Sequence, residues 1–180
     1  DHWATTAIVL YLVGMLGSYV ASTIYHALPQ HWHARAILRR FDHAAIYWHI
    51  AGSYSPITLI AMRQAGLWGW GLFCFVWLCA IAGTVASFVN LKEHSHLETV
   101  CYVLMGLTVL VAFKPLMACV SPAAVVWLIA EGVMYITGAV FYAIGPQRPY
   151  AHSVFHFFVL AGSLCHIVCV WDVLAQYLHL

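Results

Sequence analysis

The chain has 180 residues, enough for one domain or one compact bundle, and 64% are hydrophobic against 7% charged. A soluble domain carries about a quarter charged residues and keeps a polar face on each helix, so this composition excludes one. The net charge of +1 excludes nucleic acid as a partner, because no basic stripe exists to neutralise phosphates.

A membrane-crossing helix needs about 20 mostly apolar residues. Six stretches meet or approach this: 5–28, 41–62, 67–89, 97–113, 122–144 and 153–178, the fourth being the shortest. They predict an all-α fold, a polytopic transmembrane helix bundle with six spans in a single domain over 1–180. Breaks fall at Pro29, at Gly66, in the polar run 90–98, at Pro115 with Pro122, and in the run 145–149. Gly14, Gly17, Gly52, Gly83, Gly106 and Gly138 lie inside the spans, where small residues let helices approach closely in lipid. The six cysteines lie in or beside apolar runs without a CxxC, the pattern of buried free thiols used for packing. The chain opens Asp1-His2-Trp3, without a basic lead or an initiator Met. That opening predicts no cleavable signal peptide and a trimmed product or fragment.

With six spans, alternate loops share a side. Arg35, Arg39, Arg40, Lys92 and Arg148 fall on one side, Arg63 and Lys114 on the other. The positive-inside rule puts the first set in the cytoplasm and both chain ends outside. Three segments distant in sequence then bring Ser22, His26, Asp42, His152 and His156 to the cytoplasmic leaflet. Ser22 and His26 are four apart, as are His152 and His156, so each pair shares a helix face, with Cβ atoms about 6 Å apart. Two imidazoles at that spacing can bind one metal ion.

Three histidines, His26, His152 and His156, would leave a tetrahedral zinc one open position, the arrangement of a catalytic site. Water would take that position, its pKa lowered by zinc to about 7. No glutamate stands between His152 and His156, so the HExxH protease arrangement is absent and a base must come from elsewhere. Asp42 is the only acid at that depth and is the candidate general base. Ser22 is the candidate for steadying the water, orienting Asp42 or His26, or donating to an oxyanion. A hydroxyl bonded back to its own helix is the plain alternative for Ser22.

His166 lies fourteen residues after His152, on the same face but about 21 Å deeper, too far to share that metal. A core histidine bonded to a backbone carbonyl is the expected role. His49 is a comparable case two turns below Asp42. Glu131, near the middle of the fifth span, should face the protein interior, protonated or partnered. His31, His33, His94 and His96 flank the cytoplasmic loops as surface residues.

The stretches ASTIYHALP (21–29), FDHAAIYWHIAGSYSP (41–56), GAVFYAIGPQRPY (138–150) and HSVFHFFVLAGSLCH (152–166) resemble the hemolysin III family, within the progestin and adipoQ receptor superfamily. The resemblance covers nearly the whole chain in order. It implies a seven-helix membrane protein with a zinc site in the cytoplasmic leaflet. Its SxxxH, Asp and HxxxH elements map onto Ser22 with His26, onto Asp42, and onto His152 with His156. The family's first helix and its acidic lead have no counterpart, which would account for six spans with the C-terminus outside. His49 and Glu131 stand where relatives are expected to carry apolar or small residues.

The leading expectation is therefore a zinc-dependent hydrolase of a membrane lipid amide or ester, ceramidase-like, in a bacterial inner membrane. The alternative, of a different class, is a non-enzymatic homeostasis, receptor or cytolytic protein whose zinc only ties helices together. A third expectation is a proton or ion path through His166, His49 and Glu131.

Overall fold

The computed structural model describes residues 2–29, 31–89, 96–145 and 148–178. The polar run 90–95, with Lys92 and His94, and residues 146–147 lie outside them. Every regular element among the described residues is a helix: α1 (His2–Ala27), α2 (Ala34–Pro56), α3 (Leu67–Val89), α4 (His96–Leu107), the short α5 (Phe113–Met117), α6 (Pro122–Ile144) and α7 (Ala151–Leu178). The expected boundaries 67–89 and 122–144 coincide with α3 and α6. The chain divides into two compact units, Asp1–Ser95 and His96–Leu180.

Five helical stretches are long and apolar enough to cross a membrane: His2–Ala27, Leu67–Val89, Leu97–Met117, Pro122–Ile144 and Ala151–Leu178. Their outward positions carry large apolar side chains such as Val13, Leu16, Val20, Val133, Ile136 and Val140, all exposed. Water would not tolerate apolar surface on that scale, whereas lipid is its natural solvent. The chain is thus a polytopic helical membrane protein.

The stretch expected at 41–62 differs from the other five in composition. It begins earlier, at Ala34, with Arg35, Arg39, Arg40 and Asp42 in its first turns, and these charges lower its apolar character. Pro56 then lacks the N–H its turn needs and crowds the carbonyl four residues back. The helix widens into a π-turn over Ile57–Ala61, closed by Met62 N–H donating to the Ile57 carbonyl at 2.9 Å. Ser55 and Thr58 hydroxyls donate to the carbonyls of Ala51 and Tyr54 at 3.1 and 2.8 Å, satisfying backbone oxygen near the break. Residues 51–60 are all buried. A helix enclosed by protein can carry the buried His49, Ser53, Ser55 and Thr58 that a lipid-facing helix would not.

In the first unit α2 packs against both α1 and α3. A Cβ added at Gly14 would strike the Trp48 carbonyl oxygen, and one at Gly52 would lie 2.9 Å from the Leu10 carbonyl oxygen. The two helices therefore touch backbone to backbone. Trp48 and Trp77 Nε1–H donate to Thr84 and Ser55 hydroxyls at 2.9 and 3.2 Å, pinning α2 to α3. In the second unit α6 and α7 form an antiparallel hairpin, with α4 against α6. Ser121 caps α6, its Oγ accepting from Ala124 N–H at 2.9 Å, and Pro122 follows at the first helical position, where its missing donor costs nothing. Of the six glycines expected at close contacts, Gly14, Gly52, Gly83 and Gly138 are there, whereas Gly17 and Gly106 face open space. All six cysteines are free thiols.

Candidate metal centre

Pro149 and Tyr150 form the turn that launches α7. Tyr150 adopts φ 65°, the left-handed region that a residue with a Cβ enters only at a cost of about 1–2 kcal/mol. Val154 N–H donates to the Tyr150 carbonyl at 3.0 Å, so the helix starts at once and its first two turns present His152 and His156. The two rings meet edge-on, centroids 4.6 Å apart and planes at 88°. Their Nε2 atoms are 3.0 Å apart. Tyr142 from α6 and Phe155 flank the exposed His152, ring centres 6.1 and 5.7 Å away.

The donor set fits a metal ion. Two nitrogens each about 2.0–2.1 Å from a tetrahedral zinc are separated by about 3.3 Å, a few tenths of an ångström from the spacing found. Both rings bring the same nitrogen, Nε2, to the contact.

The first unit holds the remaining predicted residues. His26 is exposed in the last turn of α1, and Ser22 is half-buried one turn earlier. Arg35, from the first turn of α2, donates to the Tyr25 and Leu28 carbonyls at 3.2 and 2.5 Å. Its guanidinium also lies 4.6 Å from the Tyr25 ring centre. This satisfies carbonyls that the end of α1 leaves without helical partners and places a cation at the negative end of the helix. The turn carrying His26 is thereby held to α2.

Asp42 is half-buried in α2. The contacts of Gly14 with Trp48 and of Gly52 with Leu10 define the antiparallel register. Counting on from them, Asp42 stands level with the turn of Ser22, about 3 Å or less apart along the axis. His26 lies one turn further toward the helix end. The expectation from topology was that Ser22, His26, Asp42, His152 and His156 share one leaflet; within the first unit the register places Ser22, His26 and Asp42 near one end. The second unit joins His152 to His156.

His166 departs from expectation. Its Nδ1 lies 2.7 Å from Oε2 of Glu131, so its partner is a buried carboxyl group rather than a backbone carbonyl. His49 packs edge-on against Tyr19 at 5.7 Å. The pairing of Glu131 with His166 was missed, yet the signal was present: the two residues are equidistant from the turn at 148–149, so a tight hairpin must bring them level.

The sequence matches a family described as Haemolysin-III related over residues 1–167. It is 35% identical to Hemolysin-3 of Bacillus cereus over 93% of this chain and 74% of that protein. It is 36% identical to the Hemolysin-3 homolog of Bacillus subtilis over 93% of this chain and 77% of the relative. A more distant similarity, 26% over 93% of this chain and 58% of the relative, is to an ADIPOR-like receptor of Saccharomyces cerevisiae.

Proposed function

Because this chain belongs to the haemolysin-III related family, we propose that it is a multipass membrane zinc protein that hydrolyses an amide or ester of a membrane lipid. The observation that carries the metal assignment is the convergence of His152 and His156 Nε2 at 3.0 Å. We assign His26 as the third ligand, and the loops bearing Arg35, Arg39, Arg40 and Arg148 to the cytoplasmic side of a bacterial inner membrane.

When bound, zinc would supply Lewis acidity and acidify a water molecule toward neutral pH. The work left to the protein falls to named residues. Asp42, level with Ser22 in the register of α1 and α2, takes a proton from the attacking water and returns it to the leaving amine or alcohol. Ser22, beside it in register, donates its hydroxyl to Asp42 or to the oxygen that gains charge. Arg35 holds the end of α1 and with it the reach of His26. Tyr142 and Phe155 stand beside the His152 ring and line one side of it. A substrate with long acyl chains would enter sideways from the bilayer, the solvent that the exposed Val and Leu side chains already face.

Elemental analysis of purified protein tests the centre. About one zinc per chain is expected, lost in His152→Ala. Asp42→Ala should keep the metal and lower lipid-amide hydrolysis by about a hundredfold or more. Protein without stoichiometric metal overturns the centre. Metal retained with hydrolysis unchanged in Asp42→Ala overturns the base, and zinc without hydrolysis in either protein leaves a structural tie between helices in a non-enzymatic homeostasis, receptor or cytolytic protein.

A further inference from the structure

The α6–α7 seam carries a second set of chemistry-bearing groups, well away from the histidine pair. Glu131 is the tenth residue of the 23 in α6 and His166 the sixteenth of the 28 in α7. Both therefore sit near mid-span, about 13 Å from the nearer end of α6. They are 9% and 2% exposed and joined at 2.7 Å. Ionisable side chains at such depth are expensive and recur as proton relays in membrane proteins. A carboxylic acid on neutral imidazole and a carboxylate on imidazolium contain the same protons and the same net charge. One proton can thus shift between Oε2 and Nδ1 without placing net charge in the low-dielectric interior.

Polar groups continue from this pair in both directions. Toward the start of α7, Tyr135 and Ser163 hydroxyls are hydrogen-bonded at 2.9 Å. Beyond them the seam turns apolar: Phe141 and Phe158 stack at 5.5 Å and 12°, and Gly138 brings α6 against Phe158 and Phe155. Toward the end of α7, the buried Cys169 stands three residues after His166 and three before Asp172, so the three share one helix face. Asp172 accepts from the Ser121 hydroxyl and from Gln176 Nε2 at 3.2 Å. It is half-buried, at the mouth of the hairpin. The other titratable side chains on these helices are His152, His156, Cys165 and Tyr177 on α7 and Tyr142 on α6. The adjoining α4 contributes Glu98, Cys101 and Tyr102.

We propose that this seam is a one-ended proton path: protons enter at Asp172, pass Cys169, and exchange with a site formed by Glu131 and His166. The aromatic stack closes it from the histidine pair. In each exchange one O–H, S–H or N–H bond breaks as another forms, Cys169 giving up its S–H proton as it accepts the next, and the number of protons held by Glu131 and His166 is unchanged. The inference is independent of the metal reading, since none of these residues is a proposed ligand.

Infrared difference spectra of the full chain in lipid, taken against Glu131→Gln, isolate the carboxyl band of Glu131. On transfer to heavy water that band should shift, as its proton is replaced by deuterium. Asp172→Asn keeps an acceptor for Ser121 but cannot carry a proton. It should leave the band in place and slow its shift by about a hundredfold, the effect of losing a positioned proton carrier. If Glu131→Gln does not fold, Glu131→Asp keeps the carboxyl group and assigns the band by its change in frequency. A band that resists exchange in the wild type, or one that exchanges equally fast in Asp172→Asn, overturns the path and leaves a static buried pair.

Discussion

The α1–α2 and α6–α7 seams solve the same packing problem differently. Between α1 and α2, Gly14 and Gly52 seat backbone against backbone, and what the helices share is shape. Between α6 and α7, Gly138 and Gly162 instead make room for side chains: the Phe158 Cβ would lie 3.2 Å from a Cβ at Gly138, and the Tyr135 ring 2.7 Å from one at Gly162. The space gained is filled by aromatic rings and by buried polar pairs. Where Gly14 and Gly52 touch backbone there is no room for a side chain between them, whereas a seam spaced by rings can hold an acid, a base and hydroxyls. Small residues in membrane helices therefore mark close approach, but the partner decides whether the approach is purely structural.

Three substitutions sharpen that contrast, each read by reversible unfolding in bicelles. Gly14→Ala should cost the most, about 3 kcal/mol, because the added methyl meets a helix carbonyl that cannot move without shifting α2. Gly162→Ala should cost less, about 1–2 kcal/mol, since the Tyr135 ring can tilt, at the expense of its bond to Ser163. Equal losses at the two sites would erase the distinction between the seams. Gly17→Ala, on the same helix as Gly14 but facing open space, should stabilise slightly, by about 0.5 kcal/mol, through helix propensity alone. A large loss there would mean that this face of α1 is covered in the membrane.

Much of this was legible beforehand. Uniform apolarity placed the helices, and punctuation at Pro29, Gly66 and Pro122 placed their ends, because lipid demands long internally bonded helices whatever their neighbours. Four-residue spacing put His152 beside His156 and Ser22 beside His26, since helix geometry is local. Hairpin counting could have matched Glu131 to His166, yet an isolated histidine in an apolar run gives no hint of which group it bonds.

What the residue order determined by itself was the set of helices, their apolar faces and the two same-face pairs, all consequences of short-range geometry and of the solvent around them. What only the tertiary structure decided was which glycine meets a backbone and which a ring, that the second half of α2 is buried and so tolerates its polar residues, and that His166 holds a carboxyl group. These depend on helix register and rotation, set by many weak contacts between residues far apart in the chain. No local pattern encodes them, because each contact exists only once both helices are in place.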